Sequence, residues 1–150
     1  MTVRLDEAVE AIVDAIVEAV TGEAVAGGDV DAVSVVRGDR ARPMPELPAV
    51  WVVPDQAVHN GTTYGDEEQW DLGVALAGMV SADDPEEGGR AAARLAARAR
   101  SAVLVDRTLG LEYVIDVKST LFDSSSRSSE RNRNIHWADA TIQVTFSVTG

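Results

Sequence analysis

The sequence predicts an α+β fold, in which one mostly antiparallel β-sheet has helices packed on one face. Two segments show the three- and four-residue spacing of amphipathic helices, and the segments around them alternate with the two-residue period of strands. The clearest alternation lies over 140–149, where apolar side chains at even positions alternate with Thr, Gln and Ser at odd positions. A strand with this pattern belongs in an antiparallel sheet with one covered face.

The first helix is predicted over 3–20, where Leu, Val and Ile recur at helical spacing and acidic side chains occupy the opposite side. Two short strands are expected next, over 32–36 and 49–53. Pro48 and Pro54 bracket the second of these strands, and proline cannot donate a hydrogen bond to a sheet. The second strand is therefore expected to be short.

The second half of the chain contains a long strand, a helix and a pair of strands. The long strand is predicted over 70–80, after a polar connection over 55–69. The helix begins after Asp84, which can cap it, and runs to about residue 105. A strand over 112–118 is expected to pair antiparallel with the terminal strand, across a polar loop at about 119–139 that is rich in Ser and Arg. Loops of that length are commonly functional or disordered.

Length and composition predict a single domain over residues 1–150, long enough to bury an ordinary core. The chain has no cysteine, which excludes disulfides, thiolate metal sites and cysteine nucleophiles. Acidic residues interrupt every apolar run near the N-terminus, and no segment approaches the roughly 18 apolar residues of a membrane span. We therefore expect neither a signal peptide nor a membrane contact.

The charge of the chain is strongly negative, with a formal net charge of −12 and Lys118 as the single lysine. This charge argues against a general nucleic-acid binder, because affinity for phosphate backbones comes mainly from basic side chains. An acidic surface with almost no lysine is typical of proteins from halophilic hosts, where it keeps proteins hydrated in salt. Codon usage in a GC-rich genome is an alternative explanation, and both stay open.

Few residues suggest catalysis, and no cofactor or metal is expected. His59 and His136 are the only histidines, and neither lies in a spaced metal-ligand pattern. The sequence contains no nucleophile elbow, phosphate-binding loop or dinucleotide fingerprint. The alternative hypothesis is a small metal- or ligand-dependent enzyme. Its site would contain Asp55, His59, Asp66 and Glu68.

The order of elements resembles the tail terminator, or tail completion, proteins of long-tailed viruses. The resemblance covers nearly the whole chain: an N-terminal amphipathic helix, the Pro-flanked strand Pro48 to Pro54, the apolar strand Trp70 to Val80, the helix opened by Asp84-Pro85, the Leu109-Gly110 turn, and two closing strands around a polar loop. It implies a non-enzymatic virion protein that forms a hexameric ring, caps the tail tube and joins it to the head connector. Another neck or tail-tube position is the closest alternative.

The resemblance also implies partners and a location. The partners are other copies of the chain, the tail tube protein and the head-tail connector or neck protein, with a passing contact with DNA in the lumen left open. The location is the virion tail or neck, after assembly in the host cytoplasm.

A ring needs two different, complementary faces on each subunit, and charge suggests two candidates. The first helix is acidic and the second carries a basic stripe; the two could pair between subunits or lie together within one. The polar loop adds basic side chains, and a tryptophan at its end suits an interface anchor. The predicted interface residues are Asp14, Glu18, Arg90, Arg94, Arg98, Arg127, Arg131, Arg133 and Trp137.

Overall fold

The computed structural model describes residues 3–26, 33–38, 46–65, 67–128 and 134–149. Its elements in chain order are α1 (Leu5–Ala26), β1 (Ser34–Arg37), β2 (Ala49–Tyr64), β3 (Glu67–Ser81), α2 (Pro85–Leu104), β4 (Val114–Ser128) and β5 (Ile135–Thr149). No helix within these residues combines the length and the apolar character that a membrane crossing needs.

The strands form one five-stranded sheet in the order β1-β2-β3-β5-β4. Three of its pairings are antiparallel, including the predicted pairing of β4 with β5, and the pairing of β1 with β2 is parallel. The predicted fold class, a mostly antiparallel sheet with helices on one face, is therefore confirmed. The parallel direction of β1 was not predicted.

Strand β2 is much longer than the expected strand over 49–53. It continues through Pro54, where its register with β3 shifts before Ala57. Proline is tolerated there because β1 pairs with β2 only as far as Val52, so that Pro54 lies on a free edge. The expected polar connection over 55–69 is consequently the far half of β2, a turn and the start of β3.

The predicted loop at about 119–139 is also largely strand. β4 continues to Ser128 and β5 begins at Ile135, and residues 129–133 lie outside the described part of the chain. Three shifts of register interrupt the pairing of β4 with β5. Because each shift breaks the two-residue alternation, the part of this edge strand beyond the predicted 112–118 does not show a strand pattern in the sequence.

Both helices lie on one face of the sheet, and the even positions of β3 and β5 point toward them. The largest fully buried side chains come from α1, α2, β2, β3 and β5, and they include Ile12, Ile16, Val103, Val50, Val52, Leu72, Leu76, Ile142 and Phe146. Helix α2 approaches β3 closely because Gly78 has no side chain. A Cβ atom at Gly78 would lie 2.6 Å from the carbonyl oxygen of Ala92. No described element covers the opposite face of the sheet.

Candidate assembly interface

The basic stripe of α2 begins beside the helix N-terminus. Oδ1 of Asp84 accepts a hydrogen bond of 3.1 Å from the backbone N–H of Glu86, so Asp84 caps the helix as predicted. Arg90 then forms an ion pair with Glu86 one turn earlier, at 2.6 Å, with both side chains exposed. An exposed pair of this spacing contributes only about 0.3–0.5 kcal/mol. The carboxylate of Glu86 thus offsets the charge of Arg90, and the pair adds little stability.

The other two arginines of the stripe, Arg94 and Arg98, line one cleft. The cleft has a volume of about 280 Å³, and its apolar side chains come from α2, from the end of β3 and from the segment before β2: Leu95, Val80, Leu47 and Pro48. No carboxylate of the described chain pairs with Arg94, which is exposed. We call this site the basic cleft. It can accept an apolar side chain that is followed by a carboxylate.

Two acidic residues of α1 pair with an arginine that does not belong to this stripe. Nη1 of Arg37 lies 2.8 Å from Oε2 of Glu10 and 3.1 Å from Oδ1 of Asp14, and Arg37 is only 6% exposed. These two carboxylates thus compensate the charge of a buried guanidinium at the end of β1. The structure therefore places Asp14 in an ion pair within its own chain. The role of Arg37 was not predicted, because its partners lie 23 and 27 positions away.

Glu18, further along α1, lines a second cavity of about 450 Å³ with the end of α2. Val105 and Asp106 lie on the α2 side of this cavity. Oδ1 of Asp106 accepts hydrogen bonds from the backbone N–H and the hydroxyl group of Thr108, at 2.9 and 2.8 Å. These two bonds hold the pKa of Asp106 below its ordinary value, so its carboxylate stays charged in mild acid. We call Glu18, Val105 and Asp106 the acidic corner.

The uncovered face of the sheet carries an apolar band. Trp51 lies beside Ala77 on β3, and Met79 lies beside Trp137 on β5. The indole Nε1 of Trp51 is buried without a hydrogen-bond partner in the described chain. Trp137 was predicted to anchor an interface at the end of a loop, and it instead lies within a strand on this open face. Tryptophan and methionine are enriched in the centres of protein interfaces.

The arginines predicted on the loop are only partly described. The backbone of Arg127 lies on β4, directly opposite Trp137. Arg131 and Arg133 lie outside the described residues. Of the three, the structure therefore places only the backbone of Arg127.

Strand β4 forms one edge of the sheet and exposes apolar side chains, including Leu121 and Phe122. Part of this edge is occupied by side chains of the same chain. Nη1 of Arg107 donates a hydrogen bond of 3.1 Å to the carbonyl oxygen of Val117. Blocking an edge in this way limits uncontrolled pairing with other strands.

The residues of the alternative enzyme site do not gather into a metal site within the described chain. The rings of His59 and Trp70 are in edge-to-face contact, 5.1 Å apart between centroids. Nε1 of Trp70 donates a hydrogen bond of 3.2 Å to Glu68. Asp66 lies outside the described residues, and the rest of the described chain holds no group of three His, Asp or Glu side chains suited to a metal ion.

The second histidine, His136, packs in the interior between β5 and α2. His136 is buried, and its Nε2 lies 3.2 Å from the carbonyl oxygen of Ala82. Its ring packs against Gly88 in the first turns of α2. It therefore holds the start of β5 against the helix, far along the sheet from His59.

Known proteins resemble this chain in fold and not in sequence. No protein-family model matches the chain, and no curated protein sequence matches it. A chain in a solved structure of the virion of a native gene transfer agent (GTA) particle superposes with a TM-score of 0.59. The two sequences are 12% identical, and the match covers 90% of this chain and 93% of that chain. The likeness therefore shows a shared fold over nearly the full length of both chains.

Proposed function

We propose that this chain is a virion structural protein, and specifically a tail terminator that forms a hexameric ring. In this role it caps the tail tube and joins it to the head-side connector. The observation that carries the proposal is the fold shared with a chain of the GTA virion over 90% of this chain. The order of elements from the first helix to the closing strands, which resembles tail terminators, supports the finer assignment.

The surfaces of the chain suit a ring. Neighbours in a ring meet through two different faces of the same chain, so each subunit must carry complementary surfaces. The basic cleft is lined by arginines and apolar side chains, and the acidic corner has carboxylates beside an exposed valine. Both surfaces lie in the helical layer, which leaves the open face of the sheet available for other partners.

The tail tube protein and the neck protein are the partners that we assign to the open face of the sheet and to the edge strand β4. Trp51, Met79 and Trp137 supply apolar contact area on that face. Arg127 belongs to β4, and Arg131 and Arg133 follow it in the sequence outside the described residues; we assign to these arginines contacts with carboxylates of a partner or with phosphates of DNA in the lumen.

The proposed role is non-enzymatic. A small metal-dependent enzyme with Asp55, His59, Asp66 and Glu68 is the competing function. His59→Ala separates the two hypotheses, because it would abolish turnover in such an enzyme and should leave ring assembly and tail joining unchanged. A transition metal that copurifies with the protein and is lost in His59→Ala would favour the enzyme.

A complementation assay tests the proposed function. Particles are produced from a genome in which this reading frame is interrupted, and purified protein is added to the lysate. The expected result is that heads and tails accumulate separately and join after addition of the protein. Normal yields of infectious particles without the protein would contradict the proposal.

A further inference from the structure

The turn after α2 presents an apolar side chain to solvent on a fixed backbone. Val105 is 84% exposed, the highest value among the large hydrophobic side chains of the described residues. Oδ1 of Asp106 accepts two hydrogen bonds from Thr108, and the turn closes with Leu109 at φ 54° and Gly110 at φ 69°. A left-handed conformation is uncommon for leucine and is often found at functional positions. The fold gains no burial from Val105, although its position is well defined.

The charge around this turn is negative on balance. Glu18 lines the same cavity as Val105 and Asp106. Arg107 is the basic residue of this turn, and its Nη1 lies 3.7 Å from Oδ1 of Asp116. Asp116 therefore offsets the charge of this arginine, and the carboxylates of Glu18 and Asp106 remain. The last turn of α2 contains no basic residue, so the partial negative charge at this end of the helix is not offset from within that turn. The acidic corner therefore combines one exposed apolar side chain with a local excess of negative charge.

The basic cleft has the complementary properties. Arg94 and Arg98 line it, and Val80 and Leu95 contribute apolar surface. Its volume of about 280 Å³ is enough for one or two side chains, and its lining combines guanidinium groups with apolar surface, as in protein interfaces. The cleft therefore suits side chains of another protein.

We propose that the acidic corner of one copy docks into the basic cleft of the next copy, with Val105 against the apolar side chains and Asp106 between Arg94 and Arg98. This inference rests on the ring of the proposed function, and it names the contact that joins its neighbours. Carboxylate-guanidinium pairs and a central apolar anchor are the features that give an interface its specificity and affinity.

The positions of the two surfaces favour a second copy as the occupant. Arg94 and Val105 are separated by about 16 Å along α2, at 1.5 Å per residue. The corner of a chain therefore cannot reach the cleft of the same chain while the helix is intact. Because corner and cleft are different surfaces, the contact repeats head to tail, which is how rings are built.

A charge-swap experiment tests this docking. Sedimentation velocity measures the protein concentration at which half of the subunits are assembled, for wild type, Asp106→Arg, Arg94→Glu and the double variant. Each single variant should raise this concentration by about tenfold or more, and the double variant should return to within about threefold of wild type. Val105→Ser should weaken assembly as well, with little effect on folding, because the side chain is exposed.

Two further variants control for folding and for charge. Asp106→Asn removes the charge and keeps an oxygen that can accept the hydrogen bonds from Thr108, so it should weaken assembly without loss of helix content by circular dichroism. Arg90→Glu changes the same charge as Arg94→Glu one turn away from the cleft, and it should assemble within about threefold of wild type.

Three outcomes would overturn the docking. The first is assembly of both single variants at the wild-type concentration, which would leave the ring itself intact through another surface. The second is failure to assemble at the expected concentration, either by the double variant or, in dilute and in molar salt, by wild type itself. The third is normal assembly of the variants with loss of head-tail joining, which would assign the corner or the cleft to the tube or neck protein. The complementation assay judges the proposed function separately from all three.

Discussion

Replacing Gly78 by alanine tests how α2 packs on the sheet. A Cβ atom at this position would lie 2.6 Å from the carbonyl oxygen of Ala92, 2.8 Å from the backbone nitrogen of Ala96 and 3.0 Å from Cβ of Leu95. The first two neighbours are helix backbone, which cannot rotate away as a side chain can. Helix α2 must therefore shift away from β3, and this shift loosens the core on both sides of the contact.

We expect Gly78→Ala to lower the free energy of unfolding by about 1–3 kcal/mol, the usual cost of overpacking a core. For a chain of this length, that loss lowers the Tm by about 2–12 °C, at roughly 2–4 °C per kcal/mol. Urea unfolding followed by tryptophan fluorescence measures the change at matched protein concentration, because assembly also adds stability.

Gly73→Ala is the matched control for this substitution. Gly73 lies on the same strand but on the open face, and the nearest atom to its added Cβ would be Cβ of Asp55 at 3.9 Å. Alanine there makes an ordinary contact and reduces the freedom of the unfolded chain, so it should change stability by less than about 1 kcal/mol. Equal stability of Gly78→Ala and Gly73→Ala would refute the proposed close packing of α2 on β3.

Four other perturbations test the core, the buried ion pair, the acidic corner and the surface charge. In urea unfolding, Phe146→Ala should lower the free energy of unfolding by about 3–5 kcal/mol. Thr145→Ala should lower it by about 1 kcal/mol, because this variant loses one hydrogen bond to a carboxylate and no core volume. The reverse order would contradict the assignment of the two faces of the sheet. Arg37→Ala should lower the free energy of unfolding by about 1.5–3 kcal/mol through loss of charged hydrogen bonds, and a neutral result would place this arginine outside the core. Thr108→Val should raise the pKa of Asp106 toward its ordinary value in an NMR titration. A carboxyl group whose pKa is lower in the folded state stabilises the fold at pH values above its unfolded pKa. This stabilisation is lost as the pH falls through the folded-state pKa. Because Thr108→Val raises the folded-state pKa, the variant should lose this stabilisation at a higher pH than wild type. If the acidic surface reflects a halophilic host, the Tm of wild type should rise steeply from dilute buffer to molar NaCl, and full stability in dilute buffer would favour codon usage instead.

The elements that could be predicted from the sequence are those whose periodicity is set by burial on one side. Helix α2 begins where Asp84 and Pro85 predicted, and β5 contains the strand predicted over 140–149, although it begins earlier, at Ile135. Both elements lie in the centre of the fold, where every second or every third to fourth side chain must be apolar. Local sequence preferences and tertiary packing therefore favour the same residue pattern in these segments.

The edges of the sheet could not be predicted in the same way. Pro54 normally ends a central strand, and only the short length of β1 makes its position in β2 acceptable. Strand β4 changes register three times, so its apolar residues do not stay on one face. The parallel direction of β1 depends on how the chain returns to the sheet, which no local pattern specifies.

The candidate interface was predicted in part. The spacing of Arg94 and Arg98 indicates a shared stripe, and the structure places both at one cleft. Leu47 and Val80, which contribute to that cleft, come from distant parts of the chain, so the cleft could not be recognised before the fold was known. The exposed Val105 was likewise missed, because a valine at the end of a helix is ordinarily taken as part of the core.

Cryo-electron microscopy of the particle whose genome encodes this chain tests the central claim most directly. We predict density for two helices and a five-stranded sheet, repeated six times in a ring between the end of the tail tube and the head connector. Density for this fold at another position, or a complete neck in which no subunit has this fold, would contradict the assignment as a tail terminator.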